Sequence, residues 1–391
     1  MSVYIVSAAR TPIGILNGSF SSLSAADLGS VVLKEVLVRG NVSPDDVNEI
    51  ILGQALTACA GQNPGRQAAW KAGVPKHVPA YVLNMLCGSG LKSVALGYQS
   101  IRCGDNNIVI CGGQESMTNA PHATHLRGGI KFGDATLVDT LQRDGLTDGM
   151  YNILMGETAE NIAKQYNISR EEQDKFAAHS QNLAEVAQKN GYFKEEIIPV
   201  IVRGRKGDVT VDVDEYPKHG TTVDSLAKLR PCFVKNGGTV TAGNASGIND
   251  SAAAVLLMSE AEVQKRSIKP LAKIIAFAQS GVEPEIMGMG PVSAVNEVMK
   301  KTGWTNDEVD LFELNEAFGV VAVAVSQQLG ISQDKINIHG GAIALGHPLG
   351  ASGTRILVTL IYALRRIGGK RGVAALCIGG GMGIALAIEL V

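Results

Sequence analysis

The sequence predicts an α/β protein built from two similar halves with a long inserted segment between them. Three observations carry this expectation. Short apolar runs alternate with helical patterns, as in "NIVIC" and "VAALCI". Those runs are almost continuously apolar, which suits strands buried on both faces and points to mainly parallel sheets. One order of motifs also occurs twice.

Taken in order, the chain enters a strand at once, Val3 to Val6 of "MSVYIVSAARTPIG". The first copy of the repeat opens with "SPDDVNEIILGQA" (Ser43 to Ala55), a polar start followed by a short apolar strand and a polar turn. "TNDEVDLFELNEA" (Thr305 to Ala317) has the same order. Next, "CGSGLKSVALGYQSIRCGDNNIVICGGQES" (Cys87 to Ser116) matches Leu349 to Gly383. Each has a small-residue turn, a helix, a glycine stop, a strand and a Gly-Gly turn. Val47 pairs with Val309, Gly90 with Gly353 and Cys111 with Cys377, with little drift of register. In the second copy Leu357, Leu360, Ile361 and Leu364 make one apolar helix face, and Gly368 and Gly369 end that helix. Two similar halves suggest two sheets packed about a pseudo-twofold. The middle, about 119 to 245, is richer in polar residues and holds one clear helix: Ser169 caps it, Glu172 completes a capping box and Gly191 ends it. It reads as an inserted, loop-rich domain, either an ordinary structural insertion or a cover for a substrate.

Composition narrows the function. With 391 residues, 45% hydrophobic and 18% charged, the chain is long enough for two or three domains and reads as globular rather than disordered. A net charge of -2 gives no global pull toward nucleic acid or an acidic membrane. The six cysteines show no CxxC spacing, so no zinc or iron–sulfur centre is expected, and most thiols read as small core residues in a reducing compartment. Neither a leader, a membrane-length apolar run nor a peroxisomal tripeptide is apparent, and the expected location is cytoplasmic.

Three turns carry candidate chemistry. Cys87 in "NMLCGSGL" follows a strand and opens a helix, whose N-terminal amides favour a thiolate. Gly88 and Gly90 read as room for a ligand at the sulfur. The residue is a nucleophile on this reading and a buried structural cysteine on the bland one. His347 in "HGGAIALGHPLGASG" sits in the turn that the repeat places opposite Cys87, a general base beside a nucleophile. "LCIGGGMG" (Leu376 to Gly383) is too near the end of the sequence for a phosphate loop, because the eight residues "IALAIELV" that follow read as a strand. What remains is Cys377 beside amides suited to an oxyanion hole. Asn315 in "ELNEAFG" ends a strand; alone it reads as a turn residue.

Together these motifs resemble the thiolase family. "NMLCGSGLKSV", "NEAF", "GGAIALGHPLGASG" and "CIGGGMG" match its four active-site blocks in order and spacing. "SAARTPIG", "GGQESM" and "TAGNASGINDSAAAV" (Thr241 to Val255) match further segments, so the likeness spans essentially the whole chain. It implies two five-stranded mixed-sheet halves in five layers, αβαβα. The implied division is 1–118 with 246–268, a coenzyme A-binding loop domain at 119–245, and 269–391. The branch resembled is the short-chain biosynthetic one, which joins two acetyl-CoA into acetoacetyl-CoA and coenzyme A; a broader 3-ketoacyl-CoA thiolase of fatty-acid breakdown is the alternative, and a non-catalytic thiolase-like scaffold a third reading. The resemblance implies Cys87 as the acyl-carrying nucleophile, His347 as its base and Cys377 as the acid/base of the second acetyl-CoA. Asn315 would hold a water, and the amides of Cys87 and Gly379 an oxyanion. Coenzyme A contacts carry over to Leu146, Met155, Lys218, Thr221, Ser225, Phe233, Ala242, Ser246, Met287, Ala317 and Phe318. Lys218 stands where relatives often have Arg, Leu154 where His is common, and His339 where Asn or Glu is usual. No cofactor or metal is implied, since coenzyme A thioesters are substrates. "HATHLRGGIKFGD" (His122 to Asp134) resembles the loop that joins dimers into a homotetramer.

Overall fold

The computed structural model describes residues 2–205 and 207–391. The main strands are β1 (Val3–Arg10), β2 (Glu49–Gly53), β3 (Ala80–Leu83), β4 (Ile108–Ser116), β5 (Asn249–Ser259), β6 (Ala272–Gly281), β7 (Leu311–Leu314), β8 (Arg371–Ile378) and β9 (Met382–Leu390). They run in the order β7-β8-β9-β6-β1-β5-β4-β2-β3. Only β2–β3, β2–β4 and β7–β8 are parallel; the pairs around β5, β6 and β9 are antiparallel. The sheet is therefore mixed, not mainly parallel as strand–helix alternation suggests. The alternation breaks where β8 turns straight into β9 and where β5 arrives from the inserted segment.

The chief helices are α1 (Ala25–Gly40), α2 (Ser89–Cys103), α3 (Met155–Tyr166), α4 (Arg170–Lys189), α5 (Gly290–Thr302), α6 (Gly319–Leu329) and α7 (Leu349–Ile367). α1 covers the outer face of the first half, and α5 that of the second. Between the halves lie α2 and α7, packed on each other and on strands of both. This is the five-layer αβαβα arrangement. The strands of the two halves join edge to edge where Val3–Ile5 pair with Ala272–Ile274. The first half has five strands. In the second, the place of β3 is taken by the single bridge Ile336–Phe312.

The middle layer explains two departures from the sequence reading. Every residue of α7 from Leu349 to Leu364 is buried, not one face, because both sheets press on it. Its polar residues therefore need partners: Thr354 donates to Gly90 O at 2.8 Å, and Ser352 serves His347. Gly90 also has a packing role. A Cβ there would lie 2.8 Å from Gly350 O, and one on Gly353 2.3 Å from Leu91 N, so the two glycines let α2 and α7 touch backbone to backbone. A Cβ on Gly88 would strike Ile378 at 2.4 Å. Neither glycine serves to admit a ligand.

The register also corrects one repeat pair. Ile51 faces Cys111 across β2–β4 as Glu313 faces Ala374 across β7–β8. Cys111 thus corresponds to Ala374. Gln114 pairs with Ala252 as Cys377 pairs with Gly383, so the mate of Cys377 is Gln114. The glycine-rich turn shifts the sequence match by three positions.

In the inserted segment α4 starts at the Ser169 cap with its Glu172 capping box and ends just before Gly191, which takes the left-handed conformation (φ 71°). Buried Arg10 ties β1 to this segment through Glu196 (2.6 Å) and Asp214 (2.7 Å).

Candidate active site

Three turns from both halves converge on one cavity of about 380 Å³. Cys87, His347 and Cys377 line it together. The Cys87 turn is held in an unusual shape. Leu86 is left-handed (φ 47°), with its N–H donating to Asn84 Oδ1 at 2.9 Å. Ser89 Oγ accepts from Met85 N at 2.8 Å and donates to Leu86 O at 2.7 Å. The backbone amides of Cys87 and Gly379 both reach the Cys87 sulfur. Gly379 can come this close because Gly380 and Gly381, at φ 81° and 80°, fold the β8–β9 turn back. A Cβ on Gly379 would lie 2.9 Å from Leu86 Cδ1.

His347 is oriented by two groups. Its backbone N–H donates to Asn249 Oδ1 at 2.9 Å. Its Nδ1 lies 2.6 Å from Ser352 Oγ, and the Ser352 hydroxyl donates to Pro348 O at 2.8 Å. With its proton committed to Pro348, Ser352 accepts from Nδ1–H. That fixes the tautomer and leaves the Nε2 lone pair, which has no partner among the described residues, free to take a proton. Asn315 Nδ2 approaches Nδ1 at 3.4 Å, donor against donor, and its buried Oδ1 is also without a protein partner.

Burial decides the charge states. It pushes the Cys87 thiol up to about 11, against the opposing pull of the two amides. Desolvation thus works against the thiolate that the amides at the helix N-terminus favour. Burial and, second, the positive charge of Arg355 lower His347 to about 3, so it rests as neutral imidazole. The Cys377 thiol is raised by burial and by the neighbouring Cys87.

Of the residues expected to contact coenzyme A, Leu146, Met155, Phe233, Ser246, Met287, Ala317 and Phe318 line the cavity. Lys218, Thr221, Ser225 and Ala242 do not; Lys218, Ser225 and Ala242 are exposed on the inserted segment. Leu154 lines the wall, while His339 packs away from it against Tyr192 and Phe193. The sequence reading missed Ser352 and Asn249. A serine five residues after the histidine, inside the same block, was the available signal for the first; "GIND" carries none for the second. No cluster of three or more His, Cys, Asp or Glu suited to a metal occurs among the described residues.

Comparison with known proteins agrees with this geometry. The "Thiolase, N-terminal domain" family matches residues 3–261, and the "Thiolase, C-terminal domain" family matches residues 268–390. The chain belongs to the thiolase family. It is 56% identical to an acetyl-CoA acetyltransferase of Shinella zoogloeoides over 98% of each thiolase. It is 55% identical to the cytosolic acetyl-CoA acetyltransferase of Mus musculus over 99% of this chain and 98% of that one. Among solved structures, the acetyl-CoA acetyltransferase of Bacillus anthracis superimposes with a TM-score of 0.98 at 40% identity, covering 100% and 99% of the two chains. This thiolase is therefore an acyltransferase by family and carries the fold in full.

Proposed function

We infer that this thiolase is an acetyl-CoA acetyltransferase, converting two acetyl-CoA into acetoacetyl-CoA and coenzyme A, reversibly. The observation that carries the reading is the meeting of Cys87, His347 and Cys377 in one cavity, with His347 Nε2 unpartnered and the Gly379 amide at the Cys87 sulfur.

The reaction follows from the resting charges. Cys87 is a thiol and His347 a neutral base, so proton transfer accompanies attack on the thioester carbonyl. The sulfur bonds to the acetyl carbon, His347 Nε2 takes and holds the thiol proton, and the coenzyme A sulfur leaves with the proton of the Cys377 thiol, which becomes a thiolate. The Cys87 and Gly379 amides face the oxyanion that forms; one such donor contributes about 2.7–4 kcal/mol. In the second step the Cys377 thiolate removes a methyl proton from the next acetyl-CoA. His347, now carrying its Nε2 proton, stabilises the enolate together with a water held by Asn315. The carbanion attacks the acetyl-Cys87 carbonyl, and the Cys87 sulfur departs and takes its proton back from His347. The same groups run thiolysis in reverse.

The apolar wall of Met155, Phe233 and Phe318 suits the pantetheine arm, and the exposed Lys218 supplies a point charge for a phosphate. Bulky Met155, Met287 and Phe318 favour a small acyl group over the longer chains of fatty-acid breakdown. We divide the chain into 1–118 with 246–268, a coenzyme A-binding segment at 119–245, and 269–391. A tetramer is supported by the exposed loop at 122–134, where Phe132 is 98% exposed beside Leu126 and Ile130. A cytoplasmic location is supported by the cytosolic relatives of mouse and rat.

Labelling with radioactive acetyl-CoA tests the assignment. Cys87→Ala loses the label; Cys377→Ala keeps it but makes no acetoacetyl-CoA. Normal condensation by Cys377→Ala refutes the acid/base role. Equal rates of thiolysis on acetoacetyl-CoA and medium-chain 3-ketoacyl-CoA refute the short-chain reading.

A further inference from the structure

Glu115, on β4, is fully buried and has no cationic partner among the described residues, yet it touches the supports of both catalytic turns. Its Oε2 accepts from Gly350 N at 2.7 Å and from Ala55 N at 2.9 Å, and its Oε1 accepts from Leu56 N at 3.1 Å. Gly350 lies in the first turn of α7, where amides lack partners within the helix, between His347 and Ser352. On the other side, Ala55 O accepts from Asn84 Nδ2 at 3.2 Å. Asn84 Oδ1 in turn holds the N–H of left-handed Leu86, the residue before Cys87. Space is reserved for this carboxylate: a Cβ on Gly350 would lie 2.9 Å from Glu115 Oε2 and 2.6 Å from Gln54 Cα.

We propose that Glu115 is a positioning residue for the reaction: its carboxylate ties the Cys87 turn of one half to the His347 turn of the other and so sets the thiol-to-imidazole alignment. A lining role is excluded, because Glu115 does not border the cavity. A purely local role is also excluded, because its three donors come from two separate segments. Small errors of alignment at a reacting pair cost rate rather than binding.

The proposal rests on Cys87 being the acylated residue. The experiment is single-turnover acetylation of Cys87 by acetyl-CoA, read by quench and mass spectrometry, on wild type, Glu115→Gln and Glu115→Ala. Gln keeps the shape and at most two of the three bonds, since its NH₂ must face a backbone N–H. The acylation rate per reactive site is expected to fall about tenfold in Glu115→Gln. The KM for acetyl-CoA and the fraction of sites acylated stay within about twofold of wild type. Glu115→Ala, where it folds, is slower still. A rate within about threefold of wild type in folded Glu115→Gln overturns the proposal. So does a fall confined to the acylated fraction, which is the mark of a merely structural role, or one confined to KM. Absence of acetyl-Cys87 in the wild type instead overturns the underlying functional reading.

Discussion

Replacing Ser352 with alanine tests the tautomer argument most sharply. In the wild type, Ser352 Oγ accepts from His347 Nδ1–H at 2.6 Å because its own proton goes to Pro348 O at 2.8 Å. Alanine leaves a buried Nδ1–H unpaired, at a cost of about 1–3 kcal/mol. The imidazole has an escape from that cost. With Ser352 gone, Asn315 Nδ2, 3.4 Å away, is the remaining neighbour of Nδ1 and donates to it once the proton moves to Nε2. The Nε2–H tautomer cannot accept the Cys87 proton, so the productive form becomes the minor one. The same 1–3 kcal/mol then appears as roughly a 5- to 150-fold fall in Cys87 acylation. Ser352 does not line the cavity, so KM for acetyl-CoA stays near wild type. Single-turnover acylation, with circular dichroism to verify folding, measures the effect. A folded Ser352→Ala enzyme that acylates within about twofold of wild type refutes the reasoning, because Ser352 would then not set the tautomer.

Three further outcomes are expected. Gly379→Ala forces a Cβ to 2.9 Å from Leu86 Cδ1, displaces the amide from the Cys87 sulfur and lowers kcat by about 10²-fold or more in a thiolysis assay. His339 is lowered to about 4 and His347 to about 3, both chiefly by burial, so the unfolded chain binds protons that the folded one refuses. Stability is present above about pH 6.5 and is lost as pH falls toward those values. Each histidine costs about 2 kcal/mol between pH 7 and pH 5, and His339→Phe removes about half of that combined loss in urea titrations at the two pH values. Phe132→Ser lowers the mass seen by light scattering from tetramer to dimer while changing Cys87 acylation by less than about twofold. An unchanged mass removes the loop's assigned role.

Much of the fold was legible because the repeat carries its own punctuation. The Gly90–Gly353 pairing predicted the helix mates, and the structure crosses α2 and α7 at those two glycines. The strand directions were not legible: a continuously apolar run such as "VAALCI" looks the same whether its neighbour runs parallel or antiparallel. The cavity was readable in its reactive groups, Cys87, His347 and Cys377, which are chemically distinctive. Its supports were not, because Ser352, Asn249 and Glu115 are ordinary polar residues whose roles depend on which backbone groups the fold leaves without partners. The charge states were illegible for a related reason. A helix N-terminus is a local feature, whereas the desolvation that keeps Cys87 a thiol comes from the whole cavity wall.

Corrected register changes what the duplication means for catalysis. With Gly90 mated to Gly353, Cys87 corresponds to Gly350 and His347 to Asn84, while Cys377 corresponds to Gln114. No catalytic position has a catalytic mate. The mates instead are scaffold: Asn84 holds Leu86 N and Ala55 O, Gln114 donates to Gln54 Oε1 at 2.8 Å, and Gly350 gives its amide to Glu115. A pseudo-twofold thus brings equivalent turns together, and each position bears a reactive group in one half and a support in the other. Two reactive copies would crowd the axis with like groups: after burial, the Cys87 thiol already raises Cys377. On the proposed roles, the asymmetry lets one half present the nucleophile while the other supplies the base and the acid/base. A swap of mates tests this directly. Gln114→Cys places a thiol at the position equivalent to Cys377 but outside the cavity wall, and in a Cys377→Ala background it is expected to leave acetylation of Cys87 intact and condensation absent. Restored condensation would mean that the two halves are functionally interchangeable, contrary to the geometry of the cavity.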